Sequence, residues 1–265
     1  MKKKVFFILA ALFIITGLLM SGCTKTVSVQ EDGAAAAQSS ELKTIKPGVL
    51  TVGSDCTWPP MEYIEGDKIV GFDFDLTQAI ADKLGLKLDY QNAAWDGLFP
   101  AVSAHKYDMV ISSITITDDR KKEMDFSDPY YKTDQSVTVK KGSGIDSIDK
   151  FEGKTAAVQI GTTGELVAKD IKDVTVKTYD DILLAFEDLK AGRVDSVVSD
   201  SYVGYAYAAK DDALTVGFDI ATDEQLGIGF AKDTPELVKA VNKALKEIME
   251  DGTYDEIYEK WFGEK

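Results

Sequence analysis

YKTDQSVTVKK (residues 131–141) and DEQLGIGFAK (residues 223–232) are the stretches on which the fold turns. Both read as extended connectors, and they separate sets of alternating strand and amphipathic-helix patterns, the signature of α/β architecture with largely parallel sheets. A chain that leaves one set through the first connector and returns through the second builds two lobes joined by a double crossover. Ligand sites in open α/β sheets form beyond the carboxyl ends of the strands. Two facing lobes therefore put such a site in the cleft between them, and motion about the crossovers is a hinge closure.

The first set begins with VLTVGS as a strand and MEYIEGDKIVGF as a hairpin turning at Gly66-Asp67. Asp73 to Leu84 carries Leu76, Ile80 and Leu84 at i, i+4 and i+8, followed by Gly85, so the spacing predicts a helix with one buried stripe and a glycine stop. LKLDYQNA and DMVISS read as strands, LFPAVSAHKY and DDRKKEM as short helices. In the second set KTAAVQ, VTVKTY and SVVSD read as strands, with helices after Gly161-Thr162-Thr163 and over Asp180–Ala191. Two helices, Pro235–Glu250 and Thr253–Trp261, close the chain, and no fixed-period repeat is present.

Lys2-Lys3-Lys4, an apolar run from Val5 to Met20 and Ser21-Gly22-Cys23 make a charged region, an apolar region and a small-residue cleavage site. A cysteine in that place resembles the bacterial lipoprotein signal, so residues 1–22 are expected to be removed and Cys23 acylated. A single transmembrane anchor is the alternative, but 16 residues fall short of the ~20 a spanning helix needs. Residues 23–46, rich in Ala, Ser, Gln and charge, read as a flexible tether. Loss of residues 1–22, with three lysines and no acids, moves the formal charge from -15 to -18. Nucleic acid and anionic membrane surfaces are poor partners for such a chain. Cys56 has no partner once Cys23 carries lipid, and it reads as a small residue beside a loop.

No catalytic set stands out: the single histidine, His105, lies in a polar turn, and no nucleophile-elbow, zincin, dinucleotide or Walker motif occurs. His and Cys are too few for a metal site. Binding groups remain. Arg120 offers a planar fork suited to a carboxylate, or else is a surface helix residue. Ser112, Ser113 and Thr115 stand at a strand's carboxyl end beside a helix start that attracts anions. Thr162 and Glu165 have capping-box spacing, and SVVSD ends on Asp200, an acid expected to be exposed to the cleft. An arginine on one lobe facing an aspartate on the other suits a zwitterion.

GFDFDLTQAIADKLG, DMVISSITITDDRKKEMDFSDPYY, VQIGTTGE, GRVDSVVSDS and GTYDEIYEKWFG, in that order over residues 48–265, together resemble the extracellular solute-binding proteins of family 3, the polar amino-acid receptors of ABC importers. The resemblance implies the two-lobed periplasmic-binding-protein fold of type II, two mixed sheets joined by two crossover hinge strands. Lobe 1 is expected over 47–133 plus 228–265 and lobe 2 over 134–227. It further implies that Arg120 clasps a ligand α-carboxylate with help from Ser113, Thr115 and the Thr163 backbone, that Asp200 takes the α-ammonium, and that Trp58 and Trp95 flank the side chain. Asp55 would meet a distal polar group. Met61 and Gln159 stand at positions that vary among relatives and bear on specificity.

With Asp55 and two tryptophans, an arginine-like side chain is the preferred ligand and glutamine the next. The resemblance implies no cofactor, a monomer, permease subunits as partners, and a lipid-anchored extracytoplasmic body. Alternatives are a sensory receptor and a dehydratase-type enzyme on the same fold.

Overall fold

The computed structural model describes residues 42–263; the signal segment, Cys23 and residues 23–41 of the expected tether lie outside the described residues. The first part of the chain forms β1 (Val49–Ser54), β2 (Thr57–Trp58), β3 (Glu62–Glu65), β4 (Lys68–Val70), α1 (Phe72–Leu84), β5 (Lys87–Asn92), α2 (Trp95–Ser103), β6 (Met109–Val110), α3 (Arg120–Glu123) and β7 (Asp125–Phe126). It then crosses into β8 (Tyr131–Lys140), α4 (Ile148–Phe151), β9 (Thr155–Gln159), α5 (Thr163–Asp170), β10 (Thr175–Tyr179), α6 (Ile182–Ala191), β11 (Ser196–Asp200), α7 (Ser201–Lys210) and β12 (Leu214–Leu226). It returns through β13 (Gly229–Phe230) to α8 (Pro235–Glu250) and α9 (Thr253–Phe262).

Two five-stranded sheets result, ordered β5-β1-β6-β13-β7 and β10-β9-β11-β8-β12, beside a small sheet of β2, β3 and β4. In each, the strands of the βα units run parallel and the returning strands antiparallel. Parallel strands covered on both faces read as near-continuous apolar runs. Accordingly β11 is buried throughout and β1 from Leu50 to Ser54.

The connectors lie side by side. β8 pairs with β11 on one edge and with β12 on the other, and the β8–β12 ladder continues to Tyr131 opposite Leu226. The two crossings are thus one antiparallel ribbon, irregular between Ile220 and Glu224. The second connector divides: residues 223–226 end β12, whereas Gly229–Phe230 already pair in the first sheet.

α1 follows its sequence pattern, with Phe72, Leu76 and Ile80 fully buried. Gly85 ends it in the left-handed region at φ 68, and Leu86 N–H reaches back to Ala81 C=O at 2.9 Å. Gly71, ahead of α1, has φ 136, and a Cβ there would lie 2.1 Å from the Met61 carbonyl oxygen. α8 lays a stripe of Leu237, Val241, Ala244, Leu245 and Ile248 into the core. Phe72 anchors an aromatic cluster with Tyr254 and Phe262 of α9, at ring distances of 5.6 and 5.5 Å. Phe262 also meets Tyr131 of the ribbon at 5.3 Å.

The sequence reading departs from the structure in places. α4 and α7 were not foreseen: α7 is rich in aromatics and carries Gly204 mid-helix, a poor helix-former by propensity. Gly204 is needed there because a Cβ would lie 2.5 Å from Ser136 Oγ. α2 begins at Trp95, three residues before the expected Leu98. DMVISS contributes only Met109–Val110 to the sheet, and DDRKKEM only the single turn of α3.

Candidate functional site

After β6 the chain runs as ISSITITDDR across the top of the first sheet. Ser113 is left-handed at φ 49, and Ser112 Oγ accepts a hydrogen bond from the Asp55 N–H at 2.9 Å. Arg120 opens α3. One turn carries little helix dipole, so the expected anion-attracting helix start reduces to the guanidinium itself.

That guanidinium is held from two sides. Nη1 donates to the Thr115 C=O at 2.8 Å and Nη2 to the Gly161 C=O, on the opposite lobe, at 3.1 Å. Its Cζ lies 5.3 Å from the Trp95 ring centre and 5.2 Å from that of Phe99. Burial pushes its pKa down to about 10, countered by the charges of Asp200 and Glu224, so it is cationic at neutral pH. Two of its five N–H donors bind these carbonyls.

On the second lobe, Thr162 caps α5 by accepting from Glu165 N–H at 3.2 Å. The reciprocal arm of the capping box falls one residue early, since Glu165 accepts from Gly161 N–H at 2.6 Å. Asp200 ends β11. It is not exposed, as expected, but 4% accessible. Its carboxylate already accepts from Gln135 Nε2 at 2.6 Å and from the Tyr202 hydroxyl at 2.7 Å. Burial, with the Glu224 charge next, pushes it up to about 7.

Trp58, Trp95, Ser112, Ser113, Thr115, Arg120, Thr163 and Asp200 line one void between the lobes, together with Thr162. The free space among these side chains is only about 10 Å³, roughly the room of one water molecule, so the two lobes are drawn together on the site. Both tryptophans are buried and pack on the core as well as facing the void. A larger space of about 320 Å³, bounded by Cys56, Tyr63, Leu183, Tyr207 and Lys210, carries one charged side chain and lacks the second charge a zwitterion needs.

Asp55 and Gln159 do not line the void. They stand behind Trp58, where Trp58 Nε1 donates to Gln159 Oε1 at 2.7 Å and Gln159 Nε2 donates to Asp55 Oδ2 at 2.7 Å. Burial pushes Asp55 up to about 6 despite hydrogen bonds from Gln159 and Thr57; at neutral pH it is a buried anion. These bonds cross the cleft, as do Arg120 to Gly161 and a 3.3 Å contact between the Thr115 and Thr163 hydroxyls, so the lobes are closed. Met61 is fully buried in the core, away from the void. Cys56 is buried, and burial pushes its thiol up to about 12, in keeping with a structural role.

Sequence reasoning missed Glu224. Its Oε2 accepts from Thr115 at 2.6 Å and Thr163 at 2.8 Å, and its Oε1 accepts from Gln135 Nε2 at 3.0 Å. Glu224 and Gln135 belong to the two connectors, where a polar residue turned inward on a crossing strand must face the cleft; that was the available signal. Among the described residues no group of three or more His, Cys, Asp or Glu side chains is placed to hold a metal ion.

Two closed α/β lobes on a ribbon hinge, with a fixed cation from one and a carboxylate from the other, define a two-lobed small-solute binding protein. The model of the bacterial extracellular solute-binding proteins, family 3, matches residues 50–264, and the chain belongs to that family. Among its relatives, the arginine-binding extracellular protein ArtP of Bacillus subtilis (strain 168) is 38% identical over 224 residues, 82% of this chain and 87% of ArtP. The L-cystine-binding protein TcyJ of Escherichia coli (strain K12) is 35% identical over 227 residues, 83% of this chain and 85% of TcyJ. The structure of an ancestral arginine-binding protein bound to arginine superposes with a TM-score of 0.77 at 44% identity, covering 82% of this chain and 99% of that one. Membership of an extracellular family puts the folded body outside the cytoplasm.

Proposed function

We propose that this protein is the receptor of an ABC importer, that it binds a free polar L-amino acid in the interlobe void, and that it hands this cargo to a permease without chemical change. The observation that carries the reading is the pairing of Arg120 from one lobe with Asp200 from the other on a single void. The free N–H groups of Arg120 take the α-carboxylate with Ser113, Thr115 and Thr163, and Asp200 takes the α-ammonium. Both interactions strengthen as closure excludes water. A ligand touching both lobes shifts the population to the closed form.

Asp55 supplies negative charge beyond Trp58, where a side chain extends between the tryptophans, and Gln159 relays or yields that contact. A basic, arginine-like side chain fits best, with glutamine next. The relatives named for arginine support this order. The body acts as a monomer tethered through lipid on Cys23.

A thermal-shift and calorimetric screen against the twenty amino acids plus ornithine and cystine tests the reading. Arginine is expected to stabilise most, with affinity in the micromolar range or tighter, about -8 kcal/mol or beyond. Stabilisation by none of them sinks it.

A further inference from the structure

Behind the Ser112–Ser113 wall lie two carboxyl groups that the ligand clamp does not use. Glu62 of β3 and Asp73 of α1 are both fully buried. Ser112 Oγ donates to one Glu62 oxygen at 3.1 Å and Ser113 Oγ to the other at 3.2 Å. Asp73 Oδ2 accepts from Ser113 N–H at 2.9 Å and from the Tyr130 hydroxyl at 2.9 Å. Its other oxygen, Oδ1, is buried without a hydrogen-bond partner, and the Glu62 and Asp73 carboxyls are hydrogen-bonding neighbours, with Ser113 donating to both.

Two adjoining buried carboxylates cannot both be ionised. Among the described residues, the titratable groups recorded as facing the pair are Asp55, Cys56, Tyr90, Tyr130, Tyr202 and Tyr254, which bring acids, a thiol and phenols and no cation. A proton on Glu62 directed at Asp73 Oδ1 satisfies the orphan oxygen and removes one charge. Asp73 takes a fixed backbone N–H and a phenol hydroxyl on Oδ2, which favours its ionised form, while burial and the Asp73 charge raise Glu62 well above its ordinary value; the proton therefore goes with Glu62. Ser113 meanwhile holds a left-handed conformation that a non-glycine residue keeps only when its surroundings over-determine it. The acid pair grips Ser113 at both N–H and Oγ.

We propose that Glu62 and Asp73 share a single proton, and that this buried acid pair is the positioning element that holds the Ser112–Ser113 turn in the shape of the ligand site. The part concerning affinity rests on the amino-acid-binding reading above; the shared proton does not. Neutral Glu62 persists below its raised pKa, so the turn is intact there. As pH rises through that value the pair gains a second charge, the turn is released and affinity falls.

Infrared spectroscopy of the full chain labelled with carbon-13 at its glutamates is expected to show, at neutral pH, a protonated-carboxyl C=O band that shifts with the label and with deuteration. Glu62→Gln, which keeps a donor without charge, should lose that band. In calorimetric titrations with arginine into the alkaline range, the parent should lose about tenfold in affinity per pH unit above the Glu62 pKa beyond any loss seen in Glu62→Gln. Deprotonation of the ligand itself weakens both proteins alike, so the difference between them is the readout. Glu62→Ala should bind at least about tenfold more weakly than Glu62→Gln, as expected when the donor to Asp73 is missing. Absence of a protonated glutamate band in the parent overturns the shared proton even if no variant folds. Parallel pH profiles in parent and Glu62→Gln overturn the positioning role. Failure of any amino acid to bind would refute the receptor reading and the affinity claim with it, leaving the infrared result to decide the shared proton.

Discussion

Replacing Arg120 by lysine keeps the charge and removes the fork. The arginine spans carbonyls on different lobes, Thr115 at 2.8 Å and Gly161 at 3.1 Å, while further N–H groups stay free for a carboxylate. A lysine ammonium is one centre and can hold one of those carbonyls or the ligand well, not all three. The loss is at least one hydrogen bond from a charged donor, about 1.5–3 kcal/mol. The cation–π contact with Trp95 and Phe99 adds about 0.5–1 kcal/mol. A deficit of at least about 2 kcal/mol raises Kd about 30-fold. Isothermal titration with arginine near pH 8 measures it, with a thermal melt to establish that the variant folds. A folded Arg120→Lys protein whose Kd stays within about threefold of the parent would remove Arg120 from the site.

Asp200, with its pKa at about 7, must be ionised to hold an ammonium, so affinity should fall as pH drops below 7, approaching tenfold per unit. Proton release on binding, read from titrations in buffers of different ionisation enthalpy, and a flat acid limb in Asp200→Asn are the checks. The same raised value makes unliganded folding stability decline as pH rises from about 4 towards 7, because the unfolded carboxyl loses its proton first. Asp55→Asn should weaken arginine by about tenfold, or 1.4 kcal/mol, and glutamine by less; equal arginine affinity would rule out the preference for a basic side chain. Gly71→Ala puts a Cβ 2.1 Å from the Met61 carbonyl at φ 136, and urea unfolding should report a loss of about 3 kcal/mol or more. A loss under about 1 kcal/mol would mean that the Met61–Glu62 strand yields.

Much of this site can be read along the chain because its groups are displayed by regular elements. Asp200 could be placed because an acid closes a continuous buried strand, and Thr162 because capping has a fixed spacing. Trp58 and Trp95 came only from the resemblance, as packing and ligand contact look alike in sequence. What stayed hidden depends on contacts between distant segments. Gln159 and Asp55 are 104 positions apart, and their 2.7 Å bond withdraws both from the void. Glu224 meets Thr115 across 109 positions; its place on a connector hints at the cleft, but nothing local names that partner. Asp200 was expected to lie open to the cleft because its strand end is local information, whereas Gln135 and Tyr202 bind its carboxylate from other elements.

The order of the second sheet has a mechanical consequence. If the β8–β12 ribbon is the fulcrum, β11 lies one strand spacing from β8 and β9 lies two, roughly 5 and 10 Å. For a given angle of swing, arc length grows with radius, so Gln159 at the tip of β9 travels about twice as far as Asp200 at the tip of β11. On the proposed reading, an α-ammonium would meet Asp200 near the pivot with little travel, while the Gln159 bonds to Trp58 and Asp55 behind the void form at the end of the longer arm. A ligand that holds Trp58 out of place would then stall the last part of the stroke, and discrimination would fall to that late stage.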